Sequence, residues 1–469
     1  MPLRRRLPLR EKVVCALLVL SVSLGSLVNL SGVTTLQRSV VLVVLLVGTI
    51  LALPGGHLQS TVGRAAAVLA FVACTVVSYL RFAANPIAPI SSRTMLGLAL
   101  MLTLVTAFAF CALLAPADAE VRRRRLRCAL FAPVSFAALN LALYIVGFHL
   151  PTAQSEIEQK ANNGSAQLLG LVGIHTARVT FPLSPGLNGA GEAAALAFVI
   201  CVVLARRSRG GLRWVSLLGV LVGLASVLLT DSRGPLAYAL GALSIVIFLP
   251  RRALRAVAII PLVLPLTPAI ILFIVGHLGS VSESLNRNAG KGSFSTATGR
   301  STIWSFVTQF LSHPHAEDLI GYGAYGQVRS GVAYQYAYLF SYKAHPAFTS
   351  VHNIALQVIL DTGYIGLALL LIFLVVAVNS ARISYQRHST PESGALLVAL
   401  IALSLFGASE ALPGLAGIYL LIAAIVLACA AVRLPPTAGA KPNSKGDTGL
   451  PYLTADAPRM SPRPQTLAS

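Results

Sequence analysis

Charge is scarce in this sequence. Charged residues make up 11% of the 469 positions against 56% hydrophobic, and mean hydropathy is +0.77. A soluble chain could not bury that much apolar surface. The six cysteines (Cys15, Cys74, Cys111, Cys128, Cys201, Cys429) lie in or beside apolar runs, and no C-x-x-C pair occurs. That argues against a disulfide framework or a cysteine metal site and reads as small buried hydrophobes. No G-x-S-x-G, Walker or H-E-x-x-H pattern is present. The one G-x-G-x-x-G, at Gly321, Gly323 and Gly326, follows no strand, so it reads as a turn needing positive φ rather than a dinucleotide site. No internal repeat is evident. The first apolar run has a basic flank but no convincing small-residue cleavage site, and is read as a retained span.

What is present is a series of apolar runs of about 17–25 residues, the length that crosses hydrocarbon as helix. They fall near 13–30, 39–55, 64–82, 94–115, 128–148, 187–205, 214–230, 235–250, 256–276, 353–377, 395–410 and 416–432. Backbone groups in lipid must be satisfied within their own segment, so these are helices. The expectation is an all-α polytopic membrane protein of about 12 transmembrane helices, with one large extracytoplasmic loop containing short amphipathic helices. The divisions expected are a basic cytoplasmic N-terminus at 1–12, nine spans within 13–276, the loop at 277–352, three spans within 353–432 and a disordered cytoplasmic tail at 433–469.

The net charge of +21 could suggest nucleic acid, but its placement argues otherwise. Arg4 to Arg6, Arg122 to Arg125, Arg206 to Arg209 and Arg251-Arg252 occupy short connections, as a positive-inside bias predicts, with both termini cytoplasmic. That bias does not govern long loops, yet residues 277–352 carry Arg287, Lys291, Arg300, Arg329 and Lys343 against few acids. A basic outer loop suits an anionic substrate. Within it Ile303, Trp304, Phe306, Val307, Phe310 and Leu311 recur at helical spacing, with Thr296 and Thr298 as caps upstream and Pro314 as the stop. An amphipathic helix on the membrane surface is expected there, with Arg300 at its start.

Two helix ends beside this loop hold the residues best suited to chemistry. Arg233 lies between Asp231-Ser232 and Gly234-Pro235, where proline fits the first turn of the next span. Its plain reading is a snorkelling arginine or a local pair with Asp231; its functional reading is an anion ligand. His352 precedes the tenth run, where Ser350 could cap the helix and place the imidazole in its first turn. The positive end of a helix disfavours imidazolium, so a neutral ring able to accept a proton is expected. The plain alternative is an interfacial histidine with no task. Asp361 falls about 12–14 Å deeper along a continuous helix, at 1.5 Å per residue. With Gln357 on its face, a structural hydrogen-bond network is favoured over a proton relay. Glu192 is read with the same caution, and His313 and His315 make a poor metal site.

Together these residues resemble the O-antigen ligase and Wzy-type polysaccharide polymerase superfamily. The likeness rests on Ser232-Arg233-Gly234 after a span, Gly299-Arg300 with Trp304, Gly321-Tyr322-Gly323, and His352-Asn353 with Gly363 and Gly366 eleven and fourteen residues after the histidine. It is convincing over about 170–380; the first five spans match only in hydropathy. Arg178, in Arg178-Val179-Thr180-Phe181, loosely matches a further family arginine.

The resemblance implies a metal-independent inverting glycosyltransferase with no cofactor, in a bacterial cytoplasmic membrane. Its donor would be an undecaprenyl-diphosphate-linked oligosaccharide, and its acceptor a glycan, lipid or protein hydroxyl. It implies that Arg233 and Arg300 bind the diphosphate and that His352 deprotonates or orients the acceptor, with Arg178, Ser232, Asn353 and Gly363 in support. Membrane lipid is an expected partner and nucleic acid is not. The alternative is a membrane transporter or flippase of an anionic lipid-linked or small solute. However, Pro54-Gly55-Gly56-His57 lacks a carrier's charged loop motif. A structural envelope-assembly protein is a third reading.

Overall fold

The structure is a computed structural model. It describes residues 8–29, 35–53, 62–88, 90–113, 118–148, 167–170, 173–174, 176–184, 187–250, 252–270, 300–340 and 349–408. Among these the regular elements are all helical. In order they are α1 (Leu9–Asn29), α2 (Thr35–Ala52), α3 (Val62–Ala84), α4 (Ser92–Leu113), α5 (Ala119–Leu130), α6 (Ala132–Ile145) and the short α7 (Gln167–Gly170). Then come α8 (Leu187–Arg207), α9 (Gly211–Thr230), α10 (Arg233–Phe248) and a 3₁₀ segment, Ala253–Leu266. The loop region holds α11 (Arg300–Leu311), α12 (Gly326–Arg329) and α13 (Val332–Tyr336), and α14 (Ile354–His388) and α15 (Pro391–Phe406) follow.

Among the described residues, seven helical stretches are long and apolar enough to cross a membrane, and three shorter apolar helices (Gln37–Ala52, Arg233–Phe248, Pro391–Phe406) accompany them. This is a multi-pass membrane protein. The expected last span at 416–432 lies outside the described residues.

Helix α8 is the most enclosed of the long helices, with Ala193 to Ala197 all buried. Its close packing on α9 depends on small residues. A Cβ at Gly223 would strike the backbone of Ala194 and Phe198, and one at Gly219 would strike Cys201. Without a hydrophobic drive between helices in lipid, such close approach supplies the attraction.

Four expectations are corrected. The arginine cluster at Arg122 to Arg125 is not a loose connection: it lies inside α5, where Asp118 caps the helix by accepting from the Glu120 N–H (2.8 Å). The ninth run is not an α-helix along its whole length. Pro261 and Pro265 each remove an N–H and crowd the preceding turn, and Ala253–Leu266 winds as 3₁₀. The tenth run continues to His388, and is broken at Gly363 (φ 73°, ψ −174°). Finally, α11 does not lay its apolar face on a membrane surface. Ile303, Trp304 and Val307 are buried against Val328, Val332, Ala333, Tyr336 and Val351, forming a second core on the first turns of α14. The expected caps Thr296 and Thr298 lie outside the described residues.

Candidate functional site

Side-chain contacts fix which helix ends share a layer. Gly191, at the start of α8, abuts Ser232 at the start of α10. At the opposite end of α8, Arg207 binds the Tyr385 hydroxyl near the end of α14 and stacks over its ring at 4.7 Å. Gly394, at the start of α15, lies against Val203 and Tyr385 in that same far layer. The other end of α15 returns to the start of α14, where the Ile354 N–H donates to the Gly407 carbonyl (2.9 Å). The starts of α8, α10 and α14 therefore lie toward one end of the bundle, and Arg233 and His352 share it.

Arg233 opens α10. Its Nε and Nη2 donate to the two carboxylate oxygens of Asp231, each at 3.3 Å. Asp231 is buried and left-handed (φ 49°), capping α9, and its carboxylate also accepts from the Leu168 N–H (3.2 Å). The local pair foreseen from sequence is real, and it fixes the guanidinium at the helix end. Ser232 is buried and donates to the Thr230 hydroxyl (2.9 Å). Arg178 arrives at the same turn. Its Nε donates to the Thr230 carbonyl (3.0 Å), and the neighbouring Val179 N–H donates to the Leu229 carbonyl (2.9 Å). So the loosest of the three arginine assignments lands on the end of α9, one residue from the Asp231–Arg233 pair.

Arg300 begins α11, one helical turn before Trp304. The Trp304 indole N–H donates to the carbonyl of Val351 (3.0 Å), which precedes His352. Residues four apart share a helix face, so Arg300 stands one turn from the His352 segment. His352 itself is not in the first turn of α14, as expected, but outside it. Asn353 is the cap, accepting from the Leu356 N–H (3.0 Å), and His352 is left-handed at φ 54°. Ser350 serves the histidine differently from the expected helix cap: its hydroxyl accepts from the His352 N–H (3.2 Å). Asn353 is fully buried, and its amide donates to the Ala408 carbonyl (2.9 Å) and the Thr267 hydroxyl (3.1 Å). It ties the histidine's segment to α15 and the 3₁₀ segment.

Gly363 has a role that a continuous helix would not give it. The break it makes leaves the Leu360 and Asp361 carbonyls available, and the loop caps them. The Tyr322 N–H donates to Leu360 (2.8 Å), and the Gly323 N–H (3.1 Å) and Ser78 hydroxyl (3.1 Å) donate to Asp361. Gly321 and Gly323 have φ of 74° and 93°, and a Cβ at Gly321 or Gly326 would strike the α14 backbone. The G-x-G-x-x-G is thus a backbone clamp on a broken membrane helix, the circumstance in which irregular backbone is tolerated at such depth. Arg81, from α3, closes the clamp by donating to the Ile320 (3.1 Å) and Gly321 (2.8 Å) carbonyls. No sequence feature marked it. The Asp361 carboxylate accepts from the Gly326 N–H (2.7 Å) and the Gln357 amide (3.0 Å), the structural network foreseen. His315 caps the turn Ala316–Leu319 with Asp318, its N–H donating to that carboxylate (2.8 Å).

Multi-pass helices, a loop folded onto a broken helix, and Arg233 and Arg178 held by the buried Asp231 and Thr230 define a membrane protein with polar side chains fixed at helix ends. Residues 218–371 match the family model described as O-antigen ligase. The resemblance drawn from the motifs holds over this O-antigen ligase family domain, 154 of the 469 residues. The matched segment contains Ser232, Arg233, Arg300, His352, Asn353 and Gly363 and excludes Arg178. No curated protein matches the chain. The transporter alternative gains no support from this match.

Proposed function

We propose that the protein moves or polymerises an oligosaccharide from an undecaprenyl-diphosphate carrier onto an acceptor hydroxyl at the outer face of a bacterial cytoplasmic membrane. The observation that carries this reading is that the O-antigen ligase match encloses Arg233, Arg300 and His352, with Trp304 fastening the Arg300 helix to the His352 segment.

The chemistry follows from the residues. The acceptor oxygen attacks the anomeric carbon as its proton passes to the His352 imidazole. The bond between that carbon and the phosphate oxygen breaks, and its electron pair leaves on the diphosphate. Attack opposite the leaving group inverts the anomeric centre. Arg233 and Arg300 offset the developing charge through planar two-pronged contacts. Each charge-assisted bond contributes roughly 1.5–3 kcal/mol, and a positioned base gives about 10²–10⁴-fold. The carrier's polyprenyl tail stays in lipid while the basic loop covers its head group. The sugar and the acceptor class are set by loop shape.

The test is glycan transfer in vesicles reconstituted with full-length protein and a polyprenyl-diphosphate oligosaccharide. His352→Ala and Arg300→Ala are expected to abolish transfer without loss of membrane insertion. Wild-type output from both would overturn the reading. Accumulated single repeat units in cells lacking the protein would indicate a polymerase, and accumulated long lipid-linked chains a ligase.

A further inference from the structure

We infer that Asp361, Gln357 and Gln327 form a positioning ladder that holds the backbone carrying His352; the inference rests on His352 acting as proposed above. The ladder is continuous. The Gly326 N–H and the Gln357 amide both donate to Oδ1 of Asp361, at 2.7 and 3.0 Å. The same Gln357 Nε2 donates to Oε1 of Gln327 (2.8 Å), and Nε2 of Gln327 donates to the Thr349 carbonyl (3.0 Å). Gln327 and Thr349 are buried, so the bond between them is made away from water, where an unmade one is costly.

The ladder ends three residues before a histidine whose backbone is strained. A left-handed φ at a residue with a full side chain persists only where its surroundings over-determine it. Downstream, Asn353 is fixed by Ala408 and Thr267. Upstream, one tie is Trp304 on the Val351 carbonyl and a second is Gln327 on the Thr349 carbonyl. The second tie is made by a buried amide side chain. It is anchored at its far end on Asp361, two residues from the helix break at Gly363. The break, the loop clamp and the histidine's segment are thereby joined by a continuous run of hydrogen bonds, beside the apolar core that packs the loop onto α14.

A proton relay is the rival reading, and the geometry disfavours it. Two amides separate Asp361 from Thr349, and amides do not titrate. The last acceptor is a main-chain carbonyl rather than the imidazole. The ladder transmits position, not protons. Its members are therefore positioning residues, and what Asp361 supplies is an acceptor oxygen.

The experiment compares full-length wild type with Gln327→Ala, Asp361→Asn and Asp361→Ala. It uses the vesicle transfer assay and hydrogen exchange of the peptide covering 349–356. Gln327→Ala is expected to lower kcat roughly 10- to 100-fold with donor KM little changed, because misplacement of a reacting group costs that much. Exchange over 349–353 should quicken in the same variant. Asp361→Asn keeps the acceptor oxygen and should restore most of the kcat lost in Asp361→Ala. Wild-type kcat per folded Gln327→Ala molecule, with unchanged exchange, would overturn the proposal. So would Asp361→Asn as inactive as Asp361→Ala, which would place the role in the charge. If wild type itself transfers no glycan, the functional reading fails. The exchange arm then still decides whether the ladder orders the histidine's segment.

Discussion

The indole of Trp304 is hydrogen-bonded to the carbonyl of Val351, 3.0 Å away, and this bond joins the helix that begins with Arg300 to the residue before His352. Trp304 is among the largest fully buried side chains of the protein. One side chain thus sets the relation between the two loop residues the proposed chemistry needs most.

Trp304→Phe keeps much of the apolar ring and removes the donor. The stranded carbonyl is expected to cost about 1–3 kcal/mol. Transfer should fall further than stability does, because the register between Arg300 and His352 loosens. Thermal unfolding in detergent and vesicle transfer, measured on the same preparation, check this. Equal and small losses in both would mean that packing alone holds the loop.

The glycine at the helix break makes a sharper prediction. At φ 73° and ψ −174° Gly363 occupies a region that side chains rarely enter, and a Cβ there would strike the Leu319 carbonyl. Gly363→Ala should cost more than about 1–3 kcal/mol, since strain and clash add. It should also release the clamp on the Leu360 and Asp361 carbonyls. Faster hydrogen exchange at Tyr322 and Gly323, whose N–H groups make that clamp, is the diagnostic reading. Protection equal to wild type at both would refute the account of the break.

These two cases show where the sequence was readable and where it was not. Hydropathy located the apolar helices among the described residues, because lipid requires each segment to satisfy its own backbone groups. Arg233 was placed at a helix end by its neighbouring Gly-Pro, and its pairing with Asp231 needed only two residues of separation. The positive φ of Gly321 and Gly323 was legible for the same local reason. What failed was whatever depended on distant partners. A regular period put His352 inside α14 and ran that helix on through Gly363, whereas Asn353 takes the cap and Gly363 breaks the helix. Trp304 and its neighbours looked like a membrane-surface face, because periodicity cannot tell burial in lipid headgroups from burial in protein. Gln327 and Arg81 carried no local mark at all. Their partners lie 22 residues away or more.

A stability control can be drawn from the membrane's other structural device, the buried ion pair Arg125–Glu11. Arg125 Nη2 and Nε donate to the carboxylate at 2.8 and 3.1 Å, and Nη1 donates to the Ala112 carbonyl (3.1 Å). Their side chains are only 7% and 9% exposed, so removing one strands the other. Glu11→Ala should cost roughly 3–5 kcal/mol, while the paired replacement Glu11→Leu with Arg125→Met should recover most of it. Transfer per folded molecule should remain at the wild-type value in the pair. If the double variant is as unstable as the single one, the pair contributes something beyond mutual neutralisation.

Arg233 separates charge from geometry. Its fork already spends two N–H groups on Asp231. Lysine at this position keeps the positive charge but cannot hold the carboxylate in a planar fork while also presenting donors to a diphosphate. Arg233→Lys is therefore expected to raise the donor KM about tenfold, equivalent to roughly 1.4 kcal/mol. The change in kcat should be smaller, and Arg233→Ala should be worse in both. Donor titration in vesicles measures the split. If the lysine variant keeps a wild-type donor KM, any positive charge suffices at this helix end. If the alanine variant does too, Arg233 serves only to pair with Asp231, and the diphosphate must be bound elsewhere.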